Sequence, residues 1–312
     1  PSLGIPNNRI AKNVGSMRNT GLEFGIEAGL IKTDNFNWNV NANLTLQKSL
    51  VTSLPSNNAD IVGGSSTDIN INPNIIIRKD ESPNSLFGYQ YWGVNSANGN
   101  PVYVKADGSL VQGNIATQSY VAFDPANPAD VSKASSLALS DRKILGNTLP
   151  TYFGGFNSTM TYKNLDLVFL VRFSGGNKVF NSTRRDLLNQ DLNNNSTEIL
   201  GRWQSASNPG DGVTPRLWAA RGNFINLASA ASTRFVENGD FISLDNISLG
   251  YSLSKNLTDR LKLEKFRVYI QAQNLFIITD YKGINPEMET FGVDLNGTPR
   301  AKVFSMGINV NL

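Results

Sequence analysis

Cysteine and histidine are both absent from the 312 residues of this chain. Without them, no thiolate nucleophile, disulfide, Cys/His zinc site or His-based triad can be built. Charge is also sparse, because only 17% of the residues are charged and the net charge is +3. The basic residues are scattered and form no stripe interleaved with aromatic residues, as nucleic-acid binding would require. We therefore expect no catalytic residues, no metal or other cofactor, and no nucleic-acid partner.

Long apolar runs are missing as well. The longest nearly unbroken run covers residues 165–171 and is interrupted by Asp166, whereas a membrane-spanning helix needs about 18 apolar residues. Mean hydropathy is −0.24, so a helical membrane protein is excluded. Aromatic residues make up 9% of the chain, and together with many Val, Ile and Leu side chains they are sufficient to form a core, which argues against disorder.

What the sequence does contain is strict alternation of apolar and polar residues. Alternate residues of a strand face opposite sides, so each alternating stretch predicts a strand with one apolar and one polar face. From Trp38 the apolar set is Trp38, Val40, Ala42, Leu44 and Leu46, and the polar set is Asn39, Asn41, Asn43, Thr45 and Gln47. Further apolar sets are Leu22, Phe24, Ile26, Ala28 and Leu30; Tyr152, Phe156, Met160 and Tyr162; Leu165, Leu167, Phe169, Val171 and Phe173; Phe241, Ile247, Leu249, Tyr251 and Leu253; Val268, Ile270, Ala272 and Phe276; and Phe304, Met306, Ile308, Val310 and Leu312.

The composition of the two faces distinguishes a membrane barrel from a soluble β fold. Soluble sandwiches and barrels usually carry many Lys and Glu residues on the outer face, whereas the polar sets here are mostly Asn, Thr, Ser, Gln and Gly. Aromatic residues lie near the predicted strand ends, as Trp38, Tyr152, Tyr162 and Tyr251 do. An apolar band, aromatic girdles and a polar lumen are typical of outer-membrane barrels. The pattern favours an all-β, transmembrane antiparallel β-barrel over a soluble β fold.

Connections between the predicted strands have two lengths. Short turns follow Leu30, Tyr162 and Leu253, whereas long segments rich in Asn, Ser, Gly, Asp and Pro cover residues 54–85, 106–149 and 175–238. Outer-membrane barrels show this asymmetry between short periplasmic turns and long extracellular loops. We predict roughly eight to ten strands. Their small polar side chains would fill the interior of a small barrel poorly. We therefore expect the strands to form an arc of a wider barrel, whose remaining strands lie in a preceding part of the polypeptide.

Residues 235–251 read FVENGDFISLDNISLGY and are followed by Gln273-Asn-Leu-Phe276. Further motifs lie at residues 13–26, 86–94, 99–103, 145–156, 162–166, 202–203, 208–209, 214–217, 267–269, 281–283 and 285–287. In their order along the chain, these motifs resemble those of the SusC/RagA family of TonB-linked outer-membrane proteins from Bacteroidetes, and the similarity is strongest at residues 235–251 and 273–276.

The resemblance implies a plugged barrel of about 22 strands, of which residues 1–312 would form one C-terminal part without the plug domain. It implies import of oligosaccharides or peptides across the Gram-negative outer membrane. The expected partners are outer-membrane lipid, the remaining barrel strands and plug, a SusD-like surface lipoprotein, and TonB-ExbB-ExbD through the missing N-terminal part.

Candidate substrate-binding residues are the aromatic side chains Tyr89, Trp92, Trp203 and Trp218, which fall in loops or at strand ends. Loop aromatics at the outer mouth could stack on sugar rings or peptide side chains. Packing within the loops, or an interfacial girdle, is the alternative for each of them.

Three further sets of polar residues are weaker candidates for a functional role. Arg184-Arg185 could contact an anionic substrate or lipopolysaccharide, although a solvated loop is the favoured interpretation. The oxygen spacing of Asp191, Asn193 and Asn195 resembles a calcium loop, but Ser196 and Arg202 occupy the places of its Gly and late Glu. Glu287 and Glu289 are interpreted as a surface pair.

Two other functions stay open at this point. A self-contained small barrel with a structural or adhesive surface role would have the same alternation. A surface glycosidase or esterase is disfavoured by the missing His and the lack of a nucleophile motif.

Overall fold

The computed structural model describes residues 15–63, 74–189, 194–227, 230–288 and 292–312. The strands are β1 Ser16–Lys32, β2 Phe36–Ser53, β3 Ile61–Val62, β4 Ile75–Ile77, β5 Ser85–Val94, β6 Pro101–Val104, β7 Leu110–Asn114, β8 Ser119–Ala122, β9 Ala134–Ser135, β10 Lys143–Asn147, β11 Tyr152–Tyr162, β12 Leu165–Gly175, β13 Lys178–Asn181, β14 Ala231–Ser232, β15 Val236–Asn238, β16 Phe241–Ser252, β17 Lys265–Ile278, β18 Val293–Asp294 and β19 Val303–Asn311.

Within the described ranges, helical structure is limited to short segments. The α-helices are α1 Ser182–Leu187, α2 Gly222–Ile225 and α3 Lys255–Arg260, and the 3₁₀ helices are Leu139–Asp141, Thr197–Gly201 and Pro286–Met288. Pro55–Asn58 forms a turn in which Ser56 and Asn57 have positive φ angles. None of the described helices has the length and apolar composition needed to cross a membrane.

Seven long strands form one antiparallel sheet, which we call the wall. Its strand order is β1-β2-β11-β12-β16-β17-β19. The β1–β2 and β11–β12 connections are short, and Phe36 N donates to Thr33 Oγ1 at 2.9 Å in the first of them. The β16–β17 connection contains α3. At the other end of the wall the chain leaves in long segments, so the predicted asymmetry of the connections is confirmed.

The register of the wall separates the two faces of the sheet. Residues directly opposite each other in neighbouring strands share a face. One row, running from β2 to β19, is entirely apolar: Trp38, Met160, Leu167, Leu249, Ile270 and Met306. The next row is polar except for one valine: Asn39, Thr159, Val168, Ser248, Gln271 and Ser305. The predicted alternation is therefore confirmed, and we call the two sides of the wall the apolar face and the polar face.

Phe241 is an exception, because the sequence pattern put it on the same face as Ile247. In the structure Phe241 is opposite Ser174 on the polar face. A β-bulge causes the change: Val171 is opposite Leu244 and Leu170 is opposite Asn246, so that Asp245 is an extra residue in β16. An extra residue reverses the facing of every side chain on one side of it. The predicted position of Phe241 was wrong for this reason.

The described residues place seven strands in the wall, where the sequence predicted roughly eight to ten. The other described strands, β5 and β6 among them, belong to separate sheets. In the part of the chain that the structure describes, both β1 and β19 are edge strands, each paired on one side only. Unpaired backbone groups at lipid-exposed edges are strongly disfavoured, so the wall requires further strands if it lies in a bilayer.

Two of the long segments fold together into a second unit, which we call the loop domain (residues 54–63, 74–151, 176–227 and 230–240, with β18). It contains a nine-stranded sheet centred on β5 and a three-stranded sheet of order β15-β13-β18. Its larger buried cluster consists of Ile75, Leu86, Phe180, Leu188, Ala231, Phe235 and Val293. The core therefore unites segments far apart in the sequence, and it lies in the loop domain while much of the apolar face of the wall stays exposed.

Candidate functional site

A cleft of about 530 Å³ lies on the polar face of the wall, where β2, β11 and β12 meet the loop domain and the 3₁₀ helix Pro286–Met288. This volume is in the range of small-molecule sites, about 300–1,000 Å³. We call it the polar-face cleft. Its principal side chains are Asn43, Gln47, Phe153, Arg172, Ser174, Asn177, Phe241 and Glu287.

The carboxamide groups of the cleft are partly engaged by backbone atoms. Gln47 Nε2 donates to the carbonyl of Pro150 at 2.9 Å, and Asn43 Oδ1 accepts from Gly155 N at 2.9 Å. Asn177 Oδ1 is buried and has no hydrogen-bond partner among the described residues. Both Phe153 and Phe241 line the cleft, but only the Phe153 ring is exposed, whereas Phe241 is buried. Amides next to an exposed ring can bind hydroxyl or peptide groups while an apolar part of the ligand stacks.

Arg172 connects the wall to the loop between β17 and β19. Its Nη1 donates to Glu287 Oε1 at 3.0 Å and its Nη2 to Oε2 at 3.4 Å, while its Nε donates to Asp245 Oδ2. Arg300 Nη1 lies 3.5 Å from Glu287 Oε2. Two carboxylates thus balance two guanidinium groups, so the cleft carries no uncompensated charge from this cluster. Glu287 was interpreted as a surface residue, which is wrong because its side chain lies between Arg172 and Arg300; Glu289 lies outside the described residues.

Replacing Glu287 with Gln is expected to loosen the loop between β17 and β19. Hydrogen bonds between charged groups contribute about 1.5–3 kcal/mol when shielded, and solvent reduces this because the Arg172 side chain is 33% exposed. Amide hydrogen exchange in residues 282–288 should therefore become faster by about tenfold, which corresponds to about 1.4 kcal/mol. Mass spectrometry of the exchanged peptides measures this. Glu264→Gln, at an exposed position, is the control, and unchanged exchange in Glu287→Gln would contradict a fastening role.

Tyr89, a candidate ligand contact, is buried in the loop domain. It is 7% exposed and packs in a cluster with Tyr103, Val111, Leu227 and Ala230. The Arg142 guanidinium lies 5.3 Å from its ring centroid. These contacts occupy much of the ring, and ligand stacking on Tyr89 stays a prediction.

Trp92 lies in a different environment from Tyr89, although both belong to β5. Its indole is exposed, and it packs against Phe123 with 5.4 Å between ring centroids. Phe123 covers part of the indole ring, and the rest of the ring surface is accessible to another molecule. Ligand contact by Trp92 stays a prediction.

Trp203 and Trp218 are brought together by the segment that contains Arg216. Trp203 Nε1 donates to the carbonyl of Ser96 at 2.8 Å, and its indole packs so closely on Gly99 that a Cβ there would approach it to 2.6 Å. Arg216 N donates to the Gly99 carbonyl at 3.0 Å. The Arg216 guanidinium in turn lies 4.7 Å from the ring centroid of Trp218, within the range of a cation–π contact.

The Arg216 side chain has no carboxylate partner among the described residues. Its Nε is buried without a hydrogen-bond partner in the same part of the chain, and burial lowers the pKa of Arg216 below its usual value. The sequence motifs at residues 202–203 and 214–217 were recognised, but the contact of the Arg216 guanidinium with Trp218 was missed.

Arg184 is the centre of an ion-pair network in the loop domain. Its Nε donates to Glu198 Oε2 at 2.8 Å and its Nη1 to Glu237 Oε1 at 3.0 Å. The hydrogen bond from Arg184 is the largest factor that holds the pKa of Glu198 below its usual value of 4.5. Arg184 was assigned to a solvated loop, which is wrong because its side chain is only 9% exposed.

The calcium-like spacing lies mostly beyond the described residues. Asp191 and Asn193 fall outside them, and Asn195 Nδ2 donates to the carbonyl of Asn189 at 2.7 Å. No group of three or more potential metal-ligating side chains occurs among the described residues.

The sequence is similar along nearly its whole length to several TonB-dependent receptors, although no protein-family model matches it. TonB-dependent receptor P3 of Formosa agariphila is 26% identical over 310 residues, which are 96% of this chain and 29% of that protein. TonB-dependent receptor SusC of Bacteroides thetaiotaomicron is 29% identical over 313 residues, which are 97% of this chain and 27% of that protein. The chain thus spans less than a third of the length of these relatives.

Solved structures show the same fold. The RagAB peptide transporter superposes with a TM-score of 0.76 at 22% identity, and the match covers 96% of this chain and 30% of that chain. The RagAB peptide importer in its closed-closed state gives a TM-score of 0.73 at 22% identity over 96% and 30% of the two chains. In sequence the chain is similar to TonB-dependent receptors such as SusC, and its wall has the fold of a section of the β-barrel seen in the RagAB structures.

Proposed function

We propose that this chain forms part of the wall and the outer loops of an energised outer-membrane importer for oligosaccharides or peptides. The observation that carries the proposal is the relation to TonB-dependent receptors along 96–97% of the chain. Because the chain corresponds to less than a third of those proteins, the other barrel strands, the plug and the contact with TonB-ExbB-ExbD would belong to the rest of the complete polypeptide.

Each face of the wall suits a part of this role. The apolar face would contact outer-membrane lipid, and the polar face would line the lumen. The polar-face cleft would contact the cargo through its amides and the Phe153 ring, while Trp92, Trp203 and Trp218 would contact it at the outer mouth. A SusD-like surface lipoprotein would cover the loop domain. The role is transport, without catalysis by this chain.

The alternative is a self-contained small barrel with a structural or adhesive role. The open edges at β1 and β19 favour the importer, because the seven wall strands among the described residues leave two rows of backbone groups unpaired. The small polar side chains of the polar face favour it as well, since a narrow barrel needs larger side chains to fill its interior.

Loss of uptake tests the proposed function. Deleting the gene of the complete polypeptide is expected to abolish growth on one class of oligomer, in a panel of oligosaccharides and peptides supplied as sole nutrient. In the deletion strain, a gene copy with Asn43→Ala and Phe153→Ala should give an uptake rate about tenfold lower than the normal copy gives. The reason is that a hydrogen bond and an aromatic contact each contribute about 0.5–1.5 kcal/mol.

The control is Asn309→Ala, on the polar face but outside the cleft. It should restore uptake fully. Unchanged growth and uptake on every oligomer in the deletion strain, combined with reduced adhesion of the cells to surfaces, would reject import in favour of the adhesive alternative.

A further inference from the structure

The β16–β17 connection has an exposed apolar side although it lies within the wall. Leu257 in α3 is 44% exposed and Leu261, at the end of α3, is 58% exposed. The flanking strands β12 and β19 are both present, so this exposure does not come from a missing neighbouring strand. Some other surface must cover the leucines, or they remain in water at a cost.

The two leucines are placed together by the helix. Residues four apart lie on the same side of an α-helix, and α3 is closed at its end by Leu261 N, which donates to the carbonyls of Leu257 and Thr258. Thr258 lies on the buried side, and its hydroxyl donates to the carbonyl of Lys255 at 3.1 Å. The connection is therefore ordered, with an apolar side that no described residue covers fully.

Basic residues surround this apolar side. Residues 255–265 contain four basic residues, Lys255, Arg260, Lys262 and Lys265, and two acidic residues, Asp259 and Glu264. All six are exposed, and only one acid–base pair among them, Lys255 with Asp259, is within ion-pair distance. The excess of positive charge suits an anionic surface.

The connection also continues the apolar face of the wall. Tyr251 and Val268 are opposite each other at the ends of β16 and β17, and both are exposed on the apolar face. Leu253 N donates to the carbonyl of Phe266 at 2.9 Å, which extends the strand pairing up to α3. A tyrosine at this level is typical of the membrane–water interface.

We propose that the β16–β17 connection is an interfacial anchor that binds the phospholipids of the adjacent membrane leaflet. Leu257 and Leu261 enter the boundary between head groups and acyl chains, and Lys255, Arg260 and Lys262 bind lipid phosphates. A short helix with leucines on one side and cations around them has the features of an interfacial helix. The inference rests on the proposed location of the wall in a membrane.

The test uses the complete polypeptide in vesicles of phosphatidylcholine and phosphatidylglycerol. The chain has no cysteine, so Leu257→Cys and Leu261→Cys can each carry one fluorophore within it. Quenching is measured with nitroxide groups on the lipid acyl chains. Phe304→Cys on the apolar face is the reference for lipid contact, and Ser305→Cys on the polar face is the reference for none.

Both leucine sites are expected to be quenched at a level near that of Phe304→Cys. If Phe304→Cys is quenched and both leucine sites behave like Ser305→Cys, the anchor is rejected, and a surface inside the barrel covers the leucines. If Phe304→Cys is not quenched either, the proposed membrane location fails as well, so the two failures are distinguishable.

A second arm tests the cations. One basic residue near a membrane surface enriches anionic lipid by about fivefold, so nitroxide-labelled phosphatidylglycerol should quench the Leu257 site more than labelled phosphatidylcholine. Arg260→Gln with Lys262→Gln is expected to remove most of this preference. The control pair Lys79→Gln with Lys133→Gln, exposed residues in the loop domain, should leave it unchanged. Equal quenching by the two lipids in the unsubstituted anchor would overturn phosphate binding.

Discussion

Arginine in place of Phe304 is expected to reduce the free energy of folding into a bilayer by about 2–4 kcal/mol, the cost of a cation on the lipid-facing side of a barrel near the midplane. Phe304 lies on the apolar face in the row that contains Phe169, Ile247 and Ala272. This row is near the middle of β12, which runs from Leu165 to Gly175.

Position along the strand determines how large this cost is. Ile308 is also on the apolar face, but it is in the row of Leu165, Tyr251 and Val268, at the ends of β12 and β16. Ile308→Arg should therefore cost only about 0–1 kcal/mol, because a long cationic side chain reaches the head groups from there.

Refolding of the complete polypeptide into lipid vesicles, titrated with urea, measures both costs. Ser305→Arg is the matched control, since Ser305 is next to Phe304 but belongs to the polar face. The expected order of cost is Phe304→Arg, then Ile308→Arg, then Ser305→Arg. Similar costs for Phe304→Arg and Ser305→Arg would contradict the assignment of the faces.

Methionine in place of Arg184 is expected to destabilise the loop domain by about 3–5 kcal/mol, which is typical when one partner of a buried ion pair is removed. The substitution leaves the carboxylates of Glu198 and Glu237 without their cation. It also removes the hydrogen bond from Arg184 Nη1 to the carbonyl of Arg234, at 2.9 Å. The contact of the guanidinium with the Phe235 ring, at 5.5 Å, is lost too.

Tryptophan fluorescence during denaturation reports this change, since Trp92, Trp203 and Trp218 lie in the loop domain and only Trp38 lies in the wall. Arg78→Met is the control, because the side chains of the Arg78–Asp60 pair are 40% and 37% exposed and such pairs contribute about 0–1 kcal/mol. Equal destabilisation by the two substitutions would contradict the importance of burial.

The same ion pair makes the stability of the loop domain depend on pH. Arg184 holds the pKa of Glu198 below its usual value of 4.5, so the folded state favours the ionised carboxylate more than the unfolded state does. This stabilisation is complete above the usual pKa and is lost as the pH falls through the lowered pKa. The difference between the unsubstituted protein and Arg184→Met should accordingly be constant at neutral pH and shrink in acid.

The candidate site could be predicted only in part. The aromatic residues were visible in the sequence, but the contacts of Trp203 with Gly99 and of Trp218 with Arg216 were not. Tyr89 could not be distinguished from Trp92 by its residue type, yet one is buried and the other exposed. The polar-face cleft was missed because its charged pair, Arg172 and Glu287, is 115 residues apart in the chain.

The sequence by itself determined the strands of the wall, the composition of its two faces and the lengths of its connections. These properties depend on a two-residue period and on turn-forming residues, which are local features of the chain. The tertiary structure alone decided that Asp245 forms a bulge that turns Phe241 to the polar face, that Arg184 is buried between two carboxylates, and that the long segments share one core. Each of these depends on residues far apart in the sequence, whose approach no local pattern encodes.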